Sequence, residues 1–129
     1  MDQILRERLD ILKEAGVISD DIRDAVIEFA ESFEKKYSLT MTEENASMLI
    51  THLAMSLARI KNGEEINGMD ELTMDEIRQS KIYGELPEFY GIFEDKLQIR
   101  LPESEKGYIA LHTCAIMAKS ENEGGSKNG

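Results

Sequence analysis

The chain has no tryptophan, a single cysteine and only two prolines among its 129 residues. Each scarcity removes a class of explanation. With Cys114 alone, no intrachain disulfide can form and no cysteine-based zinc site can be built. Few helix breakers fall before the extreme C-terminus, so extended disorder is not expected over most of the chain. Long apolar runs are missing as well. The longest stretch without a charged residue, Asn45 to Ala58, falls short of the roughly 18 apolar residues that a membrane span needs. Met1 to Lys13 carries charges every few residues and has no apolar signal core, which predicts a cytoplasmic protein without membrane attachment. Basic clusters are absent too. Fifteen Lys and Arg are scattered among 26 Asp and Glu, for a net charge of −11. Displacing counterions from a phosphate backbone requires a concentrated basic surface, so direct nucleic-acid binding is excluded as an expectation.

What is present is helical patterning. Apolar residues make up 41% and charged residues 32%, a balance suited to one soluble domain. Leu5, Leu9 and Leu12 recur at helical spacing before Gly16. Ile22, Val26, Phe29, Phe33 and Tyr37 repeat that spacing behind Ser19 or Asp20 as N-cap. Thr40-Met41-Thr42-Glu43 opens a third helix to about Lys61, with Leu49, Leu53, Leu57 and Ile60 inward. Gly63 to Leu72 reads as the longest loop. Thr73-Met74-Asp75-Glu76 opens a fourth helix that should break near Gly84, and Pro87 starts another, to about Leu97, with Phe89 and Phe93 inward. Pro102 opens the last helix, which should end near Lys119 and bury Tyr108, Leu111, Ala115 and Ala118. No stretch alternates with period two. The expectation is an all-α compact bundle of about five helices over residues 1–120, followed by a disordered polar tail at 121–129.

The chain has two histidines, and each sits in one of its two longest charge-free stretches: His52 in Asn45–Ala58 and His112 in Gly107–Ala118. A helix uncharged all round is packed on several sides, so both histidines should lie on or beside a buried face. An imidazole there needs a partner for its nitrogens. Satisfied core histidines are one reading of this placement. Metal binding is not expected, because the two lie on separate helices with no Cys or Glu-x-x-His companion. A His112–Cys114 catalytic pair fails on direction, since residues two apart on a helix diverge. No phosphate-binding loop, dinucleotide fingerprint or nucleophile elbow occurs, so neither an enzyme nor a cofactor is expected. The seven methionines fall mostly on or near apolar stripes and read as core filler.

The segment Thr51-His52-Leu53-Ala54-Met55-Ser56-Leu57-Ala58-Arg59-Ile60 resembles the first histidine motif of the PTS regulation domain, in which apolar residues and then an arginine follow the histidine. Leu101-Pro102-Glu103-Ser104-Glu105-Lys106-Gly107-Tyr108-Ile109-Ala110-Leu111-His112 resembles the second: a Leu-Pro turn, an acidic residue, Gly-aromatic-Ile, then Leu-His. The resemblance extends over nearly the whole chain. One residue departs from the family's pattern, Thr51 standing where an aspartate is common.

The resemblance implies a stand-alone regulatory domain of a bacterial phosphoenolpyruvate-sugar phosphotransferase system. Its histidines, His52 and His112, would accept phosphoryl groups from a phosphocarrier protein or a sugar-permease component. It implies a homodimer that acts through protein–protein contact, a transcription regulator among its partners, in the control of sugar use. Arg59, two turns or roughly 10.5 Å beyond His52 along one helix, has two readings: a support for phosphate, or a solvated cation suited to the helix C-terminus. Glu105 and Gly107 match the second motif and read as capping and packing residues. Two alternatives stand beside the leading one. The first is a constitutive dimeric adaptor that kept the fold and lost phosphorylation; the other is a small helical enzyme using a histidine as acid–base.

Overall fold

The computed structural model describes residues 1–64 and 69–128, with side chains through residue 119. Helices α1 (Gln3–Glu14), α2 (Asp20–Tyr37), α3 (Glu43–Lys61), α4 (Glu71–Arg78), α5 (Lys81–Glu85), α6 (Pro87–Leu97) and α7 (Glu103–Asn128) follow in order, and the described residues hold no strand. The all-α bundle is as expected; its helix count is seven rather than about five.

The extra helices come from one place. The single helix expected to open at Thr73 and run toward Gly84 is two. The first starts earlier, capped by Asp70, whose carboxylate accepts from the Thr73 amide at 2.9 Å. Ser80 then ends it and starts the next. Its hydroxyl donates to the Ile77 carbonyl at 2.6 Å and accepts from the Tyr83 amide at 3.4 Å. Gly84 lies inside α5, which passes almost directly into α6 at Pro87. Glu65, Ile66, Asn67 and Gly68, inside the expected loop, lie outside the described residues.

Elsewhere the caps match or nearly match the pattern. Ser19 caps α2. Thr42, not Thr40, caps α3, exchanging bonds with Asn45 in a capping box. Gly16 and Gly63 close α1 and α3 at φ of +78° and +80°, a region where a side chain would be strained. The helical backbone of α7 continues past the Lys119 end expected from its apolar spacing. That spacing marks where packing weakens, and no proline follows to stop the backbone.

The core is sequence-local stripes brought together. Leu5 and Leu9 of α1, Ile22 to Phe33 of α2, Leu49, Leu53 and Leu57 of α3, and Phe89, Phe93 and Leu97 of α6 are all buried along their inward faces. Helix α2 packs on α1, α3 and α6, and α3 in turn packs on α7. The two charge-free stretches thus end up side by side.

Helix α7 buries a different face from the one its spacing suggested. Leu111 is 43% exposed, and Ala115 and Ala118 are exposed too. The buried face is Glu105, Ile109, Ala110, Thr113 and Ile116. Thr113 tolerates burial because its hydroxyl donates to the Ile109 carbonyl at 2.7 Å. At Gly107 a Cβ would sit 2.4 Å from Met74 Sδ, so the bare glycine leaves room for the Met74 side chain of α4 against α7.

Candidate functional site: a histidine–tyrosine–histidine face

Turning α7 this way leaves Tyr108, Leu111, His112 and Ala115 on its outer side, next to Met48, His52, Met55 and Arg59 of α3. The α3 set is spaced four, three and four apart, which keeps it on one face. His52 and Tyr108 stack across the helix pair, with ring centroids 3.4 Å apart and planes 20° from parallel. Tyr108 also meets His112, one turn along α7, at 4.2 Å. The two histidines are thus joined through one tyrosine on a single surface. None of the three is fully buried.

Burial, and after it the neighbouring His112 and the Arg59 cation, lower the His52 pKa below the ordinary 6.5. Burial alone lowers that of His112. Both rings are therefore held toward the neutral form at physiological pH, the form with a nucleophilic lone pair. Arg59 is exposed and makes no ion pair among the described residues. Its charge nevertheless reaches His52, and what disfavours an imidazolium there would favour an anion.

Behind His52 the site is polar and buried. Ser56 Oγ lies 3.0 Å from His52 Nε2, and Glu105 Oε2 lies 3.6 Å from the same nitrogen. Glu105 is 1% exposed, and neither of its oxygens has a hydrogen-bond partner among the described residues. Burial pushes its carboxyl up to about 7, the Ser56 hydroxyl opposing in part. The capping role expected for Glu105 is therefore not the one it has, since it points inward at the histidine. The packing role expected for Gly107 is the one it has.

In front of His52, an open depression of about 370 Å³ is lined by Arg8, Ser47, Met48, Thr51, His52 and Tyr108. Arg8 comes from α1 and pairs with Glu43. Sequence reasoning missed Arg8, and nothing local could have found it, because only the packing of α1 on α3 brings it there. Ser56 was within reach: it stands one turn after His52, where an i, i+4 partner belongs. Thr51, in place of the common aspartate, has a buried hydroxyl with no hydrogen-bond partner among the described residues.

A family model described as the PRD domain matches residues 27–113, about two thirds of the chain and nearly all of the site. The chain belongs to the PRD domain family. A relative in Escherichia coli (strain K12), named "Uncharacterized protein YhfY", is 26% identical over 119 residues, covering 92% of this chain and 99% of its own length. No solved structure gives a significant match. The PRD domain is a regulatory family. Among the described residues, no three His, Cys, Asp or Glu side chains converge as metal ligands. None of their helices is long and apolar enough to cross a membrane.

Proposed function

We propose that this PRD domain is a phosphohistidine-responsive module of a bacterial phosphoenolpyruvate-sugar phosphotransferase system. It takes phosphoryl groups on His112 and His52 and acts through protein–protein contact in the transcriptional control of sugar use. The observation that carries this reading is the joined pair of half-exposed, neutral imidazoles on one face, with an arginine beside them that makes no ion pair among the described residues. A neutral ring can attack phosphorus, and an open face lets a protein donor approach. Arg59 offers the arriving phosphate a counter-charge.

The same face explains how the signal would be read. Met48 is 69% exposed, Met55 37% and Leu111 43%, so the histidines sit in an apolar surface of an acidic protein. Such a surface suits a second copy of the chain, related by two-fold symmetry, or a regulator. A phosphoryl group adds roughly −1.5 to −2 charges there and must either find Arg59 or drive the surfaces apart. One observation favours a second reading, a constitutive adaptor: Thr51 supplies no carboxylate beside His52, and its hydroxyl makes no bond to the ring.

The test is transfer from phosphoenolpyruvate through the general phosphotransferase enzyme, a phosphocarrier protein and a permease component, read as intact mass at alkaline pH. Folded His112→Ala should lose most of the label, His52→Ala a smaller part, and the double variant all of it. A folded wild type that stays unmodified with every donor leaves the adaptor reading. Label that persists in the double variant places the site elsewhere.

A further inference from the structure

We propose that Glu105 is the positioning residue and proton acceptor behind His52, fixing Nε2 as the protonated nitrogen and leaving Nδ1 to take the phosphoryl group. The phosphoryl part rests on the function proposed above; the assignment of the ring nitrogens does not.

Glu105 stands in the first turn of α7, where a carboxylate normally faces solvent and favours the helix end. Here it is 1% exposed, and neither oxygen has a hydrogen-bond partner among the described residues. An unpartnered buried carboxyl is costly, and such groups in native folds ordinarily have an explanation. Two groups reach it: Ser56, whose hydroxyl partly opposes the effect of burial, and His52. Its Nε2 faces inward, 3.6 Å from Glu105 Oε2 and 3.0 Å from the oxygen of the buried Ser56. A side-chain shift of a few tenths of an ångström brings the carboxyl into hydrogen-bond range. In its ionised form, which prevails above pH 7, Glu105 can only accept, so the nitrogen it faces carries the proton. In a neutral imidazole the other nitrogen then holds the lone pair. That nitrogen belongs to a ring that is 35% exposed and lines the open depression.

The transfer balances on this arrangement. The Nδ1 lone pair of His52 attacks the phosphorus of a donor phosphohistidine whose other ring nitrogen is protonated. The donor's N–P bond breaks and its electron pair stays on the donor nitrogen, which leaves as a neutral imidazole. The new phosphoimidazole on His52 passes its Nε2 proton to Glu105, which becomes a carboxylic acid. In the reverse direction, the acid returns the proton and makes the ring a better leaving group. A carboxyl titrating at about 7 has a proton affinity near that of an imidazole, so neither direction is blocked.

Long-range proton–nitrogen correlation of the His52 ring in ¹⁵N-labelled, unphosphorylated protein tests the first half without any donor. The Nε2–H form is expected in the wild type, and Glu105→Gln should shift that equilibrium while leaving the amide spectrum of the core unchanged. A predominant Nδ1–H form in the wild type overturns the proposal whatever the variant does. With the phosphotransferase relay, the wild-type label on His52 should sit on Nδ1, and Glu105→Gln should slow its transfer on the order of a hundredfold. Label on Nε2, or an unchanged rate, also overturns the proposal. An Nε2–H ring in a protein that accepts no phosphate would support the positioning role and contradict the phosphoacceptor function, so the two failures are distinguishable.

Discussion

The α2–α6 half of the molecule and the α3–α7 half use the same packing for opposite ends. Between α2 and α6, Phe29 meets Phe33, Phe89 and Phe93 at centroid distances of 5.2 to 5.9 Å, and none of the four is more than 4% exposed. Nothing in that cluster titrates or seeks a hydrogen bond. Between α3 and α7 the rings are His52, Tyr108 and His112, all reachable from solvent, with Ser56, Glu105 and Thr113 buried behind or beside them. One interface supplies stability, and that lets the other carry an unpartnered carboxyl and two neutral imidazoles.

The largest expected effect breaks this comparison on the stable side. Phe93→Ala should cost about 3–5 kcal/mol in chemical denaturation, because it removes a fully buried ring that packs on Phe29 in a dry aromatic cluster. His52→Ala should cost clearly less, since its ring is only partly buried. Equal losses would mean that the two halves are not specialised.

The next effect appears in the pH dependence. The folded-state pKa of Glu105 is raised from 4.5 to about 7, so the folded protein binds more protons than the unfolded chain in that window. Its contribution to stability is present below pH 4.5 and is lost as pH rises toward 7, by about 3 kcal/mol. The histidines act with the other sign. Their folded pKa values lie below 6.5, so they withdraw stability as pH falls below that value. Glu105→Gln should remove the first dependence and leave a stability that climbs with pH through the histidine range. If wild type and variant show the same slope, Glu105 titrates normally.

Gly107→Ala comes third. The added methyl meets Met74 Sδ, and about 1–3 kcal/mol should be lost unless that flexible side chain yields. Leu111→Ser is the smallest. Stability should change by no more than about 0.5 kcal/mol, because Leu111 packs on no core and faces solvent. Its effect should appear instead in self-association, measured by sedimentation, as a shift toward monomer.

The fold was legible where apolar spacing is local and unambiguous. The stripes of α1, α2, α3 and α6 bury the residues their periodicity names, except that the last residues of three of them, Leu12, Tyr37 and Ile60, are only partly buried against the core. The break between α4 and α5 was hidden because Gln79 and Ser80 are acceptable inside a helix, and only the two bonds of the Ser80 side chain turn them into a boundary. Helix α7 misled for a related reason. Its Gly107–Ala118 stretch is uncharged all round, so the spacing offers two faces, and the one that looks drier is the one left outside. Glu105 and Thr113 make the true inner face look polar, yet Thr113 bonds to its own helix and Glu105 faces the histidine. The histidines themselves were legible from the motifs. Their stacking through Tyr108 and the inward carboxyl required the packing of two helices distant in sequence.

Phosphorylation of the histidines on the α3–α7 face is the proposal on which the rest depends. Its most direct test is fragmentation mass spectrometry of the wild-type protein after phosphotransferase-driven labelling, kept alkaline throughout. The expected result is an acid-labile phosphoryl group located on His112, with a smaller fraction on His52, and none elsewhere. An acid-stable group on serine or threonine, or a folded protein that takes no phosphate from any donor in the relay, would contradict it.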